Sequence, residues 1–343
     1  VVHTGGGDAN FSVLGGGVDV GTYQFQLAQH GDDWFLEATR EITPSTASVL
    51  GLFSAAPSVW YGELSSLRSR MGEVRNGQGS GVWARTYANR YKLSADADLT
   101  YAQNQNGLSL GADGQLPTSD GQWLLGVLAG TSKSDLDLKR GTSGEVDSYY
   151  VGLYSTWLAD SGFYVDAVLK LNRFDNSSDV RMSDGTKAEG DYNNTGLGLS
   201  VEAGKHIKLP DDWFIEPYAQ FAALRVNGDD YELDNGMQAS SNHANSLLGK
   251  LGSSFGKRIP LANGGFAEPY LKLAVAHEFA DNNLVRVNGD RFNNDLSGTR
   301  GEIGGGVAAQ VSEKLQLHLD LDYSKGKNVE QPYGVNLGLR YNF

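Results

Sequence analysis

The sequence predicts an all-β chain: a 12-stranded antiparallel transmembrane β-barrel with an N-terminal α-helix in the lumen and a short β-solenoid end ahead of it. Three observations carry this: a final strand that stops on an aromatic residue, long segments of strict apolar–polar alternation, and one segment of helical period just before them. At the C-terminus Val335, Leu337, Leu339, Tyr341 and Phe343 share one face of an extended strand, while Gly334, Asn336, Gly338, Arg340 and Asn342 share the other. A chain ending in such a strand leaves its backbone groups unpaired unless the sheet closes on itself.

Composition narrows the kind of barrel. The 343 residues include 45 Gly, 16 Tyr and 8 Pro, which suits one large all-β unit with a small appendage. The absence of Cys fits an extracytoplasmic protein that travels unfolded, although many cytosolic proteins also lack it. A net charge of −13, with no basic stripe, excludes a nucleic-acid partner. The longest apolar run, from Trp123 to Ala129, is interrupted by a Gly and falls far short of the ~20 residues of a spanning helix, so membrane insertion requires strands. No signal peptide opens the sequence, so an exported chain is expected to be an internal or processed fragment.

Twelve strands are expected at roughly 80–95, 98–116, 122–138, 145–159, 162–182, 187–209, 213–233, 237–259, 265–286, 292–312, 314–327 and 333–343. Leu315, Leu317, Leu319, Leu321 and Tyr323 alternate with Gln316, His318, Asp320, Asp322 and Ser324, giving a hydrocarbon-like face and a fully polar one. The same holds for Phe163, Val165, Ala167, Leu169 and Leu171 against Tyr164, Asp166, Lys170 and Asn172. A soluble sandwich would show such alternation too, but rarely in strands of about 10 residues or more. Short turns are expected at 159–162, 209–213 and 261–265, and longer polar excursions at 139–144, 175–190 and 227–246. Trp123, Trp157, Phe163, Trp213, Phe214 and Phe266 flank the short turns, where an interfacial girdle belongs. Glu216-Pro-Tyr218 recurs 52 residues later, one hairpin on, as Glu268-Pro-Tyr270. Each Pro should lie near a strand start or bulge, with Glu216, Tyr218, Glu268 and Tyr270 facing inward.

Residues 44–76 change period. Thr43-Pro44-Ser45 marks a helix start, and Leu64, Leu67, Met71 and Val74 recur at spacings of three and four. Glu63, Arg68, Arg70, Glu73 and Arg75 cover the remaining faces, and a kink or break is expected near Pro57. A helix of ~30 residues spans about 45 Å, enough to cross a membrane-height barrel. A surface helix on a soluble domain is the alternative; the twelve strands that follow favour the lumen, where the Arg side chains pair with inward Glu and Asp. Residues 1–43 carry a glycine-rich run, residues 15–21, then Tyr23, Phe25 and Leu27, a turn at 31–33, and Trp34-Phe-Leu36; the last coils of a β-solenoid or an exposed hairpin would both suit.

The order of these elements resembles the C-terminal translocator region of a monomeric autotransporter (type V secretion) of the pertactin and AIDA-type adhesin group. The resemblance covers essentially the whole chain. It is carried by Gly21-Thr-Tyr-Gln-Phe-Gln-Leu27 with Trp34-Phe-Leu36, by Leu67-Arg-Ser-Arg-Met-Gly-Glu-Val-Arg75, and by Gly81-Val-Trp-Ala-Arg85. Asp160-Ser-Gly-Phe-Tyr-Val-Asp166, Glu216-Pro, Gly256-Lys-Arg258 and the aromatic end complete it. It implies a passenger end at 1–43, a linker helix in the lumen at 44–76, an outer-membrane barrel at 77–343, and Trp83 and Arg85 among the inward barrel residues. It also implies that the barrel-assembly machinery reads Leu337, Leu339, Tyr341 and Phe343, and that the chain, a monomer in outer-membrane lipid and lipopolysaccharide, exports and displays its own passenger, an adhesin.

Catalytic patterns are sparse. Gly107-Leu-Ser-Leu-Gly111 matches a nucleophile elbow, but Leu108 and Leu110 alternate within an expected strand, whereas the elbow needs a strand-to-helix turn. The six His residues are scattered, so no metal or other cofactor is expected, and His318 reads as a lumen residue. Some autotransporters cut their linker with an Asn; Asn76-Gly77 is sterically free to cyclise, but Asn-Gly recurs at five other positions and the paired-Asn motif is absent. Two further readings remain open at this point: a porin plugged by its own helix, and an outer-membrane hydrolase.

Overall fold

The computed structural model describes residues 2–5, 10–13, 16–76, 79–262 and 264–343. Gly15, Gly77 and Asn263, each part of a motif above, lie outside the described residues.

Twelve antiparallel strands form the barrel: β1 (Gly81–Ser94), β2 (Thr100–Leu116), β3 (Gln122–Asp137), β4 (Ser143–Leu158), β5 (Phe163–Arg181), β6 (Lys187–Lys205), β7 (Trp213–Asn227), β8 (His243–Lys257), β9 (Phe266–Glu278), β10 (Gly298–Gln310), β11 (Leu315–Gly326) and β12 (Val329–Asn342). Each pairs with its sequence neighbour, and β12 pairs with β1 from Asn342 opposite Gly81 to Val329 opposite Leu93, so the ring closes. Both ends of the barrel chain lie at one rim, the near rim. Alternation sends Leu125, Val151, Leu171, Leu251, Leu271 and Val275 outward, each at least 50% exposed, and Tyr154, Lys170, Glu216 and Asp320 inward. An apolar surface encircling the ring is stable only against hydrocarbon.

Aromatic side chains in the lumen lie flat over glycines on the directly paired strand. Trp83 covers Gly111, Tyr154 covers Gly126, Tyr218 covers Gly252 and Tyr270 covers Gly306. Each pair joins two strands connected at the far rim, so the register of a hairpin is fixed by a ring that has room only where no Cβ exists.

Several strand limits differ from those expected. At the far rim, residues 138–142 and 182–186 are short turns, because β3 to β6 continue beyond the apolar belt as outward charges pair across strands; Lys133–Glu145 is at 2.6 Å. Residues 175–190 are therefore mostly strand. The expected strands at 213–233, 237–259, 265–286 and 292–312 instead shed their far-rim ends. These become two hairpins, Asp230–Glu232 with Gln238–Ser241 and Leu284–Val287 with Asp290–Asn293, which join as a four-stranded sheet over the far mouth. The expected strand at 187–209 is interrupted after Lys205 and resumes at Ile207–Lys208. Pro217 has no N–H to give, and the β6–β7 ladder lapses between the Gly204–Tyr218 and Ile207–Ile215 pairs; Pro269 produces the same lapse between β8 and β9.

The lumen holds α1 (Pro44–Glu63) and α2 (Leu67–Met71). Thr43 caps α1 by accepting from Thr46 N–H at 3.2 Å, with Pro44 in the first turn. The break falls at residues 64–66, not at Pro57, through which α1 runs unbroken; Leu64 is extended, and Ser66 restarts the helix by accepting from Ser69 N–H. Leu64 therefore lies between the helices, and Glu73 and Arg75 lie past α2.

The inner face is not polar throughout, contrary to expectation. Around α1 it is mainly apolar, with Gln103 and Gln105 as buried exceptions that bond to Ser58 and the Val59 carbonyl: Val49, Leu52, Phe53 and Val59 pack with Leu93, Leu136, Val146, Phe174 and Leu224 of the wall and with Val287 and Phe292 of the far-rim sheet. A helix buried on nearly every side needs an apolar wall. Phe214, expected in the outer girdle, points inward and is buried, since it alternates with the outward Trp213.

Within residues 1–43, the described strands form an antiparallel sheet in the order Val2–His3, Asp33–Ile42, Tyr23–His30, Val18–Val20. The direct reversal at residues 31–32, with Gly31 at φ +65°, makes this the hairpin alternative; no parallel solenoid coil forms among the described residues. The sheet stands at the far rim, where Asp19 accepts from Ser183 N–H at 2.6 Å and Thr22 donates to the Val287 carbonyl.

The Trp60 ring rests on Gly198, where a Cβ would stand 2.2 Å from the indole. Gly198→Val is expected to cost about 1–3 kcal/mol through overpacking. Gly301→Ala, at a lipid-facing position with nothing within 4 Å, should be near neutral. Urea midpoints of the refolded barrel check the contrast.

Candidate functional site

The near-rim half of the lumen is built around three Arg side chains of the linker. Arg68 is buried; its Nη2 donates to Glu73 at 2.8 Å and to Glu216 at 3.3 Å, and its Nη1 to Glu268 at 3.2 Å. The Phe214 and Tyr270 rings lie 5.1 and 5.0 Å from its guanidinium carbon. Arg75 joins the network through Glu73 at 3.1 Å and Glu216 at 3.0 Å. Arg70 donates to Asp166 at 2.6 Å, and the Thr156 hydroxyl donates to the same oxygen.

The two Glu-Pro-Tyr segments bring their carboxylates here from alternate strands, β7 and β9, because strands one hairpin apart present the same parity at the same height. The repeat is longer than the sequence reading found. Ten residues before each Glu stands a basic partner: His206 Nδ1 lies 2.9 Å from Glu216, and Arg258 Nε donates to Glu268 at 2.6 Å. Arg68, Arg75 and Arg258 thus face Glu73, Glu216 and Glu268, so this buried layer is balanced in charge before His206 is counted.

A second cluster closes α1. Glu63 accepts from Lys170 at 2.5 Å, Asn172 at 2.6 Å and Ser132 at 2.8 Å. Lys170 lies between the Trp60 and Tyr150 rings, at 4.9 and 4.6 Å. Arg85 meets no linker carboxylate; it donates to the Glu63 carbonyl at 2.8 Å and the Gly62 carbonyl at 3.4 Å, serving the unpaired end of the helix and its negative dipole.

Of the other residues singled out, Trp83 donates to Tyr154 OH at 2.8 Å and packs with Leu67 and Met71. Tyr270 OH donates to Asp320. Tyr218 is half-buried and lines a cleft of about 140 Å³ beside α1 and α2, together with Lys250, Lys272, Glu302 and Asp322. His318 Nε2 lies 3.0 Å from the Ser69 carbonyl. Leu337, Leu339, Tyr341 and Phe343 lie on the lipid face, apart from this site. Ser109 is in mid-strand, hydrogen-bonded to Tyr150, with no elbow turn. Among the described residues no group of three His, Asp or Glu side chains suits a metal ion. Asp166 and Lys170 were missed as linker partners, although both share the inward parity of Tyr164.

A family model described as "Autotransporter beta-domain" matches residues 82–322, most of the barrel. The chain belongs to the autotransporter β-domain family. A second model, "Pertactin", matches residues 1–38 of this autotransporter chain. Autotransporter CRAC of Citrobacter rodentium is 38% identical over 364 residues, covering 100% of this chain and 23% of the relative. The pertactin autotransporter of Bordetella parapertussis is 38% identical over 309 residues, covering 89% and 34%. The chain thus spans only a minor part of these curated relatives. Among solved structures, the β domain of the Bordetella autotransporter BrkA superposes with a TM-score of 0.67 at 32% identity, covering 78% of this chain and 100% of that one. The transport unit of AIDA-I from Escherichia coli shares the fold at 19% identity, with the same TM-score, over 88% of this chain and 100% of that one. The barrel is accordingly one of the bacterial outer membrane.

Removing Arg68 alone leaves three buried carboxylates under-compensated. Arg68→Met is expected to destabilise the plugged barrel by about 3–5 kcal/mol, while Arg68→Met combined with Glu216→Gln, which leaves Arg75 and Arg258 facing Glu73 and Glu268, should recover much of that loss. Urea unfolding followed by tryptophan fluorescence checks both.

Proposed function

We propose that the chain is the C-terminal translocator of an autotransporter, which inserts in the outer membrane, exports its own N-terminal passenger and anchors it at the cell surface. One observation carries this reading: the linker runs through a closed barrel from far rim to near rim, with the preceding sheet seated on the far-rim loops. Residues 1–43 are then the end of the passenger, residues 44–76 the linker and residues 77–343 the barrel. The passenger is an adhesin; a relative described as "Autotransporter adhesin/invasin TibA", from Escherichia coli, is 34% identical over 100% of this chain and 40% of its own length.

The Arg68, Arg70 and Arg75 networks are the anchor of the linker, with Glu216, Glu268 and Asp166 as its sockets. Leu337, Leu339, Tyr341 and Phe343 are the signal for the barrel-assembly machinery, since a strand with one apolar face can be captured by addition to another sheet edge. The apolar belt supports membrane lipid and lipopolysaccharide as surroundings, and the closed ring supports a monomer. The family fit and the absence of an elbow around Ser109 support transport rather than catalysis. Self-cleavage at Asn76 is not part of this reading.

Deletion of Phe343, or Leu339→Asp, is expected to reduce outer-membrane assembly several-fold, measured as heat-modifiable barrel in membrane fractions; normal assembly of both variants counts against the signal. Deletion of residues 44–75 should raise single-channel conductance severalfold over the intact chain in planar bilayers. Equal conductance would show that the helix is not the plug.

A further inference from the structure

Eleven of the twelve strand interfaces join sequence neighbours, so a turn or loop limits how far each pair can slip. The β12–β1 interface is the exception, since its strands lie at opposite ends of the barrel chain. The far-rim part of β12 does not supply the missing constraint, because its ladder is irregular on both sides, between Asp322 and Ser324 and between Glu330 and Tyr333.

The near-rim part holds a contact that reaches over an entire strand. Arg340, on β12, is opposite Trp83 on β1, yet its guanidinium crosses β1 to Asp113 on β2. The contact is bidentate, with Nη1 to Oδ2 at 2.6 Å and Nη2 to Oδ1 at 2.7 Å. The side chains are 2% and 0% exposed. Gly81 makes the crossing possible: it lies between Asn342 and Asp113 in the register, and a Cβ there would stand 2.6 Å from Arg340 Nη2. Asn342 accepts from Arg340 Nε at 2.8 Å, and Tyr154 OH donates to Asp113 at 2.6 Å. The cluster therefore draws its arms from three strands, β12, β2 and β4.

We propose that Arg340 and Asp113, meeting over Gly81, are the register lock of the turnless seam. A slip of one residue would turn Arg340 onto the lipid face. A slip of two would carry it about 7 Å along the seam, leaving Asp113 buried and unpaired. Only the native register satisfies both charges, so the last strand pairing of assembly is selected by electrostatics inside the lumen rather than by chain connection.

The chain has no cysteine of its own, so introduced pairs report register directly. Ala88 and Val335 are native partners across the seam; Ala88→Cys with Val335→Cys reports the native register. Thr86→Cys or Arg90→Cys with Val335→Cys reports slips of two residues. In full chain assembled in outer membranes, Arg340→Gln or Asp113→Asn is expected to lower native cross-linking several-fold and raise slipped cross-linking. Gly81→Ala should shift it in the same direction with both charges intact. The exchanged chain, Asp113→Arg with Arg340→Asp, should cross-link natively more than either exchange alone. Unchanged native cross-linking in Arg340→Gln, Asp113→Asn and Gly81→Ala overturns the proposal. So does an exchanged chain no better than its single exchanges, which would mark a requirement for burial without a role in register.

Discussion

A strand in hydrocarbon has no water to meet its N–H and C=O groups, so the sheet must close, and a closed sheet of this girth encloses a space that either water or chain must occupy. Everything within the barrel answers to that second requirement. The chain fills the space with its own linker, and the wall is graded to receive it: mainly apolar around α1, charged around α2 and the turn that follows. Charged and helix-end groups brought in with the linker meet partners in the lumen, from the helix-end carbonyls held by Arg85 to the guanidinium of Arg68 between two rings and three carboxylates.

The ring of strands and the helix within it were legible in the sequence because both rest on periodicity. Two-residue alternation in β11, and in β12 from Tyr333 onward, survives in the folded wall, and the three-and-four spacing before the barrel marks real helix. Tertiary context overrode that spacing at residues 64–66, where Leu64 keeps the helical interval but takes an extended backbone, and again at Gly72, beyond which Val74 lies outside α2. Pro57, the local breaker, left α1 unbroken. Parity placed Phe214 and Trp213 on opposite faces, a distinction that proximity to a turn does not make.

Elsewhere local pattern carried no signal. The far-rim sheet is made from two loops more than forty residues apart, and nothing in either loop announces the other. Its Val287 and Phe292 are apolar because they roof α1, which is a fact of packing and not of period. The linker network was half visible. The Glu-Pro-Tyr repeat pointed to two carboxylates of one role, whereas His206 and Arg258, ten residues upstream of each, belong to the same unit but differ in residue type. The seam contact between Arg340 and Asp113 joins residues 227 apart and is invisible to any local reading.

The graded wall also indexes the linker in depth. One helical turn is about 5.4 Å. Advanced by one turn, Glu63 would leave Lys170 and Asn172, and Trp60 would leave the gap over Gly198 for a position with a side chain in its place. Withdrawn by one turn, Arg68 would rise out of reach of Glu216 and Glu268 toward the apolar zone. The barrel therefore behaves as a ruler as well as a container: where the linker comes to rest is written into the wall, and with it the height above the membrane at which the first strands outside the far mouth are held.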